Sequence, residues 1–218
     1  MSGRTPVGVL VSGAGTNLDA LLTACRAPDF PARVAIVVSN RRSAHALDVA
    51  RGAGVPAVAL PQSDFGGDAA ARDREVHARF QAAGVRLVVC AGYDRILSAD
   101  FLDAYPDAIL NVHPSLLPAF AGGMDAIERA LDRGVRVTGC TVQLLERGEA
   151  DAGPIVLQAA VPVEMDDDAA SLRRRIHERE WVLLPQAVAL WSTDRLRREG
   201  NRVRVLPAPA PAPAPAPV

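Results

Sequence analysis

Asn111 and His113 stand two residues apart, directly after an apolar run that ends at Ile109-Leu110. On an extended chain that spacing puts both side chains on one face. The first carries an amide able to donate to a developing oxyanion, the second an imidazole of the kind that titrates near neutral pH. The stretch Asn111-Val112-His113-Pro114-Ser115-Leu116-Leu117-Pro118 reads as the point where a buried strand leaves its sheet. Pro114 removes an N–H there, and Pro118 restricts Leu117. A polar pair at the carboxyl end of a strand lies where open α/β sheets bind ligands. A histidine that merely caps a strand-end turn would carry the same local sequence, so other stretches must decide.

Residues 7–11 are apolar and run into Ser12-Gly13-Ala14-Gly15-Thr16-Asn17, followed by a helical pattern over residues 18–25. Strand, glycine turn and helix in that order offer backbone N–H groups to an anion such as a phosphate. Gly13 and Gly15 fit a dinucleotide-binding turn, but Leu18 occupies the place of its third glycine. A tight strand-to-helix connection is the alternative. The second strand, residues 34–38, ends at Ser39-Asn40-Arg41-Arg42, without the acidic residue that would hold an NAD ribose. The two arginines leave a 2′-phosphate possible.

These residues need a scaffold, and the sequence alternates apolar runs with helical patterns. Helices are expected over residues 43–52, 68–83 (amphipathic, with exposed arginines) and 99–104, and strands at 57–60, 87–90 and 108–110. The alternation predicts a doubly wound, mostly parallel α/β sheet in a single domain. The fourth strand runs into Ala91-Gly92-Tyr93-Asp94-Arg95-Ile96-Leu97, a candidate wall for an apolar pocket. A helix is expected near residues 125–133. Residues 135–145 and 155–161, joined by a charged turn and Asp151-Ala152-Gly153-Pro154, predict an antiparallel pair added to the sheet. Asp166, Asp167 and Asp168 read as the cap of a long helix over residues 169–198, perturbed at Pro185, rather than as a cation site. A short edge strand is expected at residues 203–206. Residues 1–206 form the expected domain, and residues 207–218, alternating Pro and Ala, a disordered tail.

The chain has 218 residues and a formal net charge of −1, so no global field favours nucleic acid or an anionic membrane. Every basic residue is arginine, which excludes a Schiff-base lysine and a P-loop lysine. Cys25, Cys90 and Cys140 are widely spaced, and the last two sit in apolar runs, as buried small hydrophobes do. The start lacks the apolar core of a signal peptide, and no apolar run is long enough to span a membrane; the expected compartment is the cytoplasm.

Together the segments resemble one family, the folate-dependent phosphoribosylglycinamide formyltransferases. The motifs that carry the resemblance are residues 12–18, 91–97, 111–118, Val137-Thr138-Gly139-Cys140-Thr141-Val142 and Asp151-Ala152-Gly153-Pro154-Ile155-Val156-Leu157-Gln158, over about residues 6–196. The resemblance implies transfer of the formyl group of 10-formyltetrahydrofolate to the amine of glycinamide ribonucleotide, in purine biosynthesis, without a metal. It implies Asn111, His113 and Asp151 as catalytic residues. Gly13, Ala14, Gly15, Thr16 and Asn17 would hold the ribonucleotide phosphate and Glu180 the ribose. Tyr93, Asp94, Arg95, Ile96, Leu97 and Asn111 would line the folate pocket. Small molecules are the expected partners, not nucleic acid or membrane, and the enzyme would be a monomer or homodimer. The chain departs from the family pattern at Ala69, Asp125, Gln143 and Trp181, where the family often carries an arginine or histidines. His45, His77 and His177 fall in expected helices, which would make His113 the only imidazole in the site and the acid limb of kcat a single ionisation.

Formyltetrahydrofolate deformylase and methionyl-tRNA formyltransferase share the trio, but each is expected to add a domain before or after it. A nucleotide-binding module without chemistry would keep the glycine turn and need neither His113 nor Asp151.

Overall fold

The computed structural model describes residues 3–208. The expected Pro-Ala tail lies outside the described residues from 209 onward.

Among the described residues nine strands form one sheet in the order β3-β2-β1-β4-β5-β6-β7-β9-β8. The amino-terminal part alternates β1 (Thr5–Val11), α1 (Thr16–Ala24), β2 (Ala32–Ser39), α2 (Ala46–Gly52) and β3 (Ala57–Ala59). After a short 3₁₀ turn come α3 (Ala69–Ala82), β4 (Leu87–Cys90), α4 (Ala99–Ala104) and β5 (Ile109–His113). These five strands pair in parallel, and the winding reverses between β1 and β4. That reversal opens a crevice at the carboxyl ends of both strands.

Apart from the half-buried edge strand β3, the parallel strands are buried on both faces, so they read as near-continuous apolar runs. Val7, Val9 and Val11 of β1 point into one core layer with Leu18 and Leu21 of α1, while Leu10 points into the other with Val76, Phe80 and Phe101. The period of two along one strand thus serves helices on both sides.

Past β5 the sheet turns antiparallel, except where β7 meets β9 in parallel. After α5 (Ala126–Asp132), β6 (Val137–Leu144) and β7 (Ile155–Pro162) form the expected pair. The long helix α6 (Ala169–Ser192) is capped by Asp168, which accepts from the Ser171 N–H at 2.7 Å while the Ser171 hydroxyl accepts from the Asp168 N–H at 3.0 Å. The acidic triplet is therefore a helix start.

Three expectations need correction. Pro185 lies inside α6 without ending it, and the helix stops at Ser192, not at residue 198. Residues 196–199 instead form β8 (Leu196–Glu199), hairpinned with β9 (Arg202–Val205), so the last strand is internal and β8 is the edge. Gly200, at φ 61, supplies the left-handed turn residue that a helical reading of this region overlooks. Finally, α3 does not expose all its arginines. Arg72 is fully buried because Asp73 accepts from its Nε and Nη2 at 3.0 and 2.7 Å, and its guanidinium lies 5.9 Å from the centre of the Tyr93 ring.

Among the described residues no helix is long and apolar enough to cross a membrane.

Candidate active site

Strand β5 does not leave the sheet at Asn111, as its sequence implied, but stays paired through His113. Asn111 lies opposite Gln143 of β6 and His113 opposite Thr141. On its other side Asn111 neighbours Cys90, the last residue of β4. Asn111 is therefore paired on two sides and His113 on the β6 side, which fixes their backbone better than a loop would. The loop that follows is held by Thr141, whose Oγ1 donates to Ser115 O at 2.7 Å and accepts from Leu117 N at 3.0 Å.

Asp151 comes from the β6–β7 connection, yet its Oδ2 lies 3.3 Å from His113 Nδ1. Gly153 makes this approach possible. A Cβ there would stand 1.9 Å from Leu144 O, so only glycine lets the connection fold back onto the end of β6. The carboxylate is held from two more sides: Gln143 Nε2 donates to Oδ1 at 2.9 Å and the Gly122 N–H to Oδ2 at 2.9 Å. His113 Nε2 meets Phe120 O at 3.2 Å, so each ring nitrogen faces an acceptor. His113 is 5 % exposed, which keeps bulk water from competing for the ring.

Two cavities meet at this trio, and Asn111 and Asp151 line both. One, of about 370 Å³, is walled by Leu97, Leu102 and Leu145 with Arg147 at its rim. The other, of about 420 Å³, contains His113 and is lined from α1 by Asn17 and from α6 by Arg173, His177 and Glu180. Tyr93, Arg95 and Ile96 separate the two, lining both; of the rest of that loop, Leu97 faces only the first and Asp94 only the second.

The loop over residues 91–97 is pinned at both ends. Ser12 N donates to Gly92 O at 3.1 Å, and Ser98 N donates to Asp73 Oδ2 at 2.6 Å. Between them Asp94 Oδ1 accepts from Ser12 Oγ at 3.0 Å and Asn40 Nδ2 at 2.7 Å, while Arg41 pairs with Oδ2. Burial alone would raise the Asp94 carboxyl, but these hydrogen bonds and the charges of Arg41 and Arg95 hold it below the ordinary carboxylate range. Asp94 thus ties together the ends of β1, β2 and β4 across the crevice.

Glu180 is 3 % exposed and accepts from Asn17 Nδ2 at 2.8 Å. Burial pushes its carboxyl up to about 7, against the smaller pull of that hydrogen bond. Asn17 Oδ1 is buried without a protein partner. The rest of the glycine turn is placed differently: Ala14, Gly15 and Thr16 border a third cavity with His45 and Trp181, and Gly13 lines none of the three.

His113 is not the only imidazole here. His177 lines the same cavity; burial, and then the charge of Arg173, hold its pKa below the usual histidine value. A single ionisation is therefore not expected of this cavity, where Glu180 is raised to about 7 and His177 is lowered. The signal for His177 was present in the sequence: Arg173, His177 and Glu180 fall at i, i+4 and i+7, one face of one helix. Gln143 was noted only as a departure, though its alternation with Thr141 on β6 places it toward Asp151. His77 is elsewhere, edge-on to Phe101 and Tyr105.

Cys90 and Cys140 are buried, and burial pushes both thiols up to about 12, so neither is a nucleophile at neutral pH. Among the described residues no cluster of three or more His, Cys, Asp or Glu could hold a metal ion.

Residues 6–188 match the family described as formyl transferase. A phosphoribosylglycinamide formyltransferase of Haemophilus influenzae is 36 % identical over 89 % of this chain and 91 % of its own. The trifunctional purine biosynthetic protein adenosine-3 of Drosophila melanogaster is 40 % identical over 86 % of this chain, which spans only 14 % of that larger protein. The solved glycinamide ribonucleotide transformylase 1 of Symbiobacterium toebii superposes with a TM-score of 0.91 at 46 % identity, covering 95 % of this chain and 96 % of its own.

Proposed function

The chain belongs to the phosphoribosylglycinamide formyltransferases of the formyl transferase family, and from that premise we propose that it moves a formyl group from 10-formyltetrahydrofolate to glycinamide ribonucleotide. The observation that carries this reading is the meeting of two cavities at Asn111, His113 and Asp151. A transfer between two small molecules needs two pockets that share their reacting groups and hold both reactants in line.

In this reading the folate occupies the apolar cavity behind Tyr93, Arg95, Ile96 and Leu97, and the ribonucleotide the one with Asn17 and Glu180. Its phosphate binds the N–H groups of the turn at residues 13–17, where α1 begins and its dipole favours an anion. The ribose hydroxyls donate to Glu180. The substrate amine attacks the formyl carbon, forming a C–N bond and placing negative charge on the formyl oxygen. Asn111 donates to that oxyanion, a contribution of about 10²–10³ in rate for one such donor. His113 stabilises the same charge, and with Asp151 it carries the proton from the attacking amine to the folate nitrogen as the old C–N bond breaks. No metal enters these steps. We place the reaction in the cytoplasm, with the enzyme a monomer or homodimer.

The test is incubation with both substrates, following formylated ribonucleotide and tetrahydrofolate together. His113→Ala should lower kcat by roughly 10² or more while ribonucleotide binding survives. Asp151→Asn should also cost turnover heavily, since it keeps the size and removes the charge. Near-normal turnover in the His113 variant would sink the mechanism.

A further inference from the structure

The turn over residues 120–122 touches both proton-handling groups at once. Phe120 O faces His113 Nε2 at 3.2 Å, and Gly122 N donates to Asp151 Oδ2 at 2.9 Å. This turn is not a low-energy one. Phe120 has φ 58 and Asp151, which it meets, has φ 60, a region that side-chain-bearing residues adopt only when surroundings impose it. Gly122 and Gly123 follow at φ 70 and 98 and add no stiffness of their own.

One side chain, Arg129, reaches across the whole turn, with Asp125 Oδ1 3.8 Å from its Nη1. Arg129 Nη1 donates to three successive carbonyls of the turn, Phe120 O at 3.4 Å, Ala121 O at 3.1 Å and Gly122 O at 2.9 Å. Its guanidinium also lies 5.8 Å from the centre of the Phe120 ring. Three carbonyls aimed at one cation is a convergent arrangement that a planar, permanently charged group holds well. Arg129 is itself seated on a fixed element: Ile127 and Ala130 of α5 are buried, and Glu128 pairs with Arg173 of α6 at 2.6 Å.

We propose that Arg129 is a positioning residue for formyl transfer: by gathering the carbonyls of residues 120–122 it seats the turn that orients His113 and Asp151. The inference rests on the reading of those two as the proton-handling pair. Arg129 touches neither of them, so its effect passes through the turn alone. Losing it lets the Phe120 carbonyl and the Gly122 N–H drift, and with them the ring and carboxylate. Drift of this kind lowers the rate in the bound complex more than it lowers binding.

The experiment uses the full chain with Arg129→Met, which keeps the stem and loses every donor, and Arg129→Lys, which keeps a cation with three donors. Arg129→Met should lower kcat by about tenfold or more, since small misplacements of reacting groups are that costly. KM for each substrate should stay within about threefold, the pattern of a lost transition-state interaction. Arg129→Lys should recover most of the rate. In ¹⁵N-labelled protein, the His113 Nε2 proton should exchange faster with water in the Met variant, while the melting temperature holds within a few degrees. Normal kcat in Arg129→Met overturns the proposal. So does a loss confined to KM, or one that tracks a fallen melting temperature with the His113 signal unchanged. The His113→Ala variant, run alongside, separates the two failures: if it keeps its turnover the assignment of the pair fails, and if only Arg129→Met does, this inference fails alone.

Discussion

At the scale of single residues, the role proposed for Glu180 would couple ribose binding to pH. Its carboxyl is raised from 4.5 to about 7 because it is buried, so the free protein prefers it protonated only below about pH 7. A group whose folded pKa lies above its unfolded one adds stability that is complete below the unfolded value and is lost as pH climbs through the folded value. Here that window runs from about 4.5 to about 7, and the loss across it is on the order of 3 kcal/mol. In the proposed reading ribose binding runs the other way, because two hydroxyls would donate best to the ionised carboxylate. We therefore expect kcat/KM for the ribonucleotide to fall as pH drops below about 7, with kcat/KM for the folate spared that step. Glu180→Gln should remove the step, raise KM for the ribonucleotide and flatten the stability change. A step of the same size in both variant and wild type would assign it to another group, His177 being the nearest candidate on the same helix face.

At the scale of elements, the glycine turn between β1 and α1 holds two glycines with different duties. Gly15 sits at φ 84, and a Cβ there would stand 2.7 Å from the Cα of Ala46 at the start of α2. Gly13 has neither constraint: a Cβ on it meets nothing within 4 Å. The two substitutions should then separate. Gly15→Ala is expected to lower the melting temperature, by about 1 kcal/mol or more in stability, through forced left-handed geometry and crowding. Gly13→Ala should fold normally and raise KM for the ribonucleotide if the turn holds the phosphate, because the added methyl obstructs the anion's approach to the backbone. Paired measurement of melting and KM checks both. A Gly13→Ala variant with altered folate KM and intact ribonucleotide KM would reverse the pocket assignment.

At the scale of the whole molecule, the sheet is organised so that its parallel half and its antiparallel half meet at β5, the strand that carries Asn111 and His113. Each half brings one wall: the parallel half supplies the loop after β4, and the antiparallel half supplies Leu145 and Asp151, the latter held from behind by Gln143. Helix α6 spans both by packing against α1 and β6, which is how Glu180 reaches Asn17 across 163 residues of sequence. The chain's packing continues to Leu206, whose N–H donates to Arg195 O at 2.8 Å. Residues 207–218 contain only Pro and Ala before a final Val, with little apolar surface to bury. Truncation after Leu206 should leave melting temperature and turnover unchanged; a clear fall in either would show that the tail docks.

Much of this was legible in the sequence, for identifiable reasons. The central parallel strands are near-continuous apolar runs, and the helices α2 and α3 between them run out at Gly54 and Gly84, so their order could be read directly. The spacing of Asn111 and His113 placed both on one face, and the motif at residues 151–158 tied them to a family. Other features belong to no local pattern. Whether β5 ends at Asn111 or stays paired through His113 depends on β6, some thirty residues on. Arg72 looks like a surface residue until Asp73 and Tyr93 enclose it. His177 enters the site because α6 crosses the cavity, and Arg129 gathers the turn at residues 120–122 only once α5 is docked. Periodicity and turn chemistry act between neighbours in the chain, so the sequence by itself determined most of the elements and named the candidate site residues, while the β8–β9 hairpin escaped it. The partners of those residues come from opposite ends of the sheet, and only tertiary packing, which buries charges just where distant groups can meet them, decided who they are.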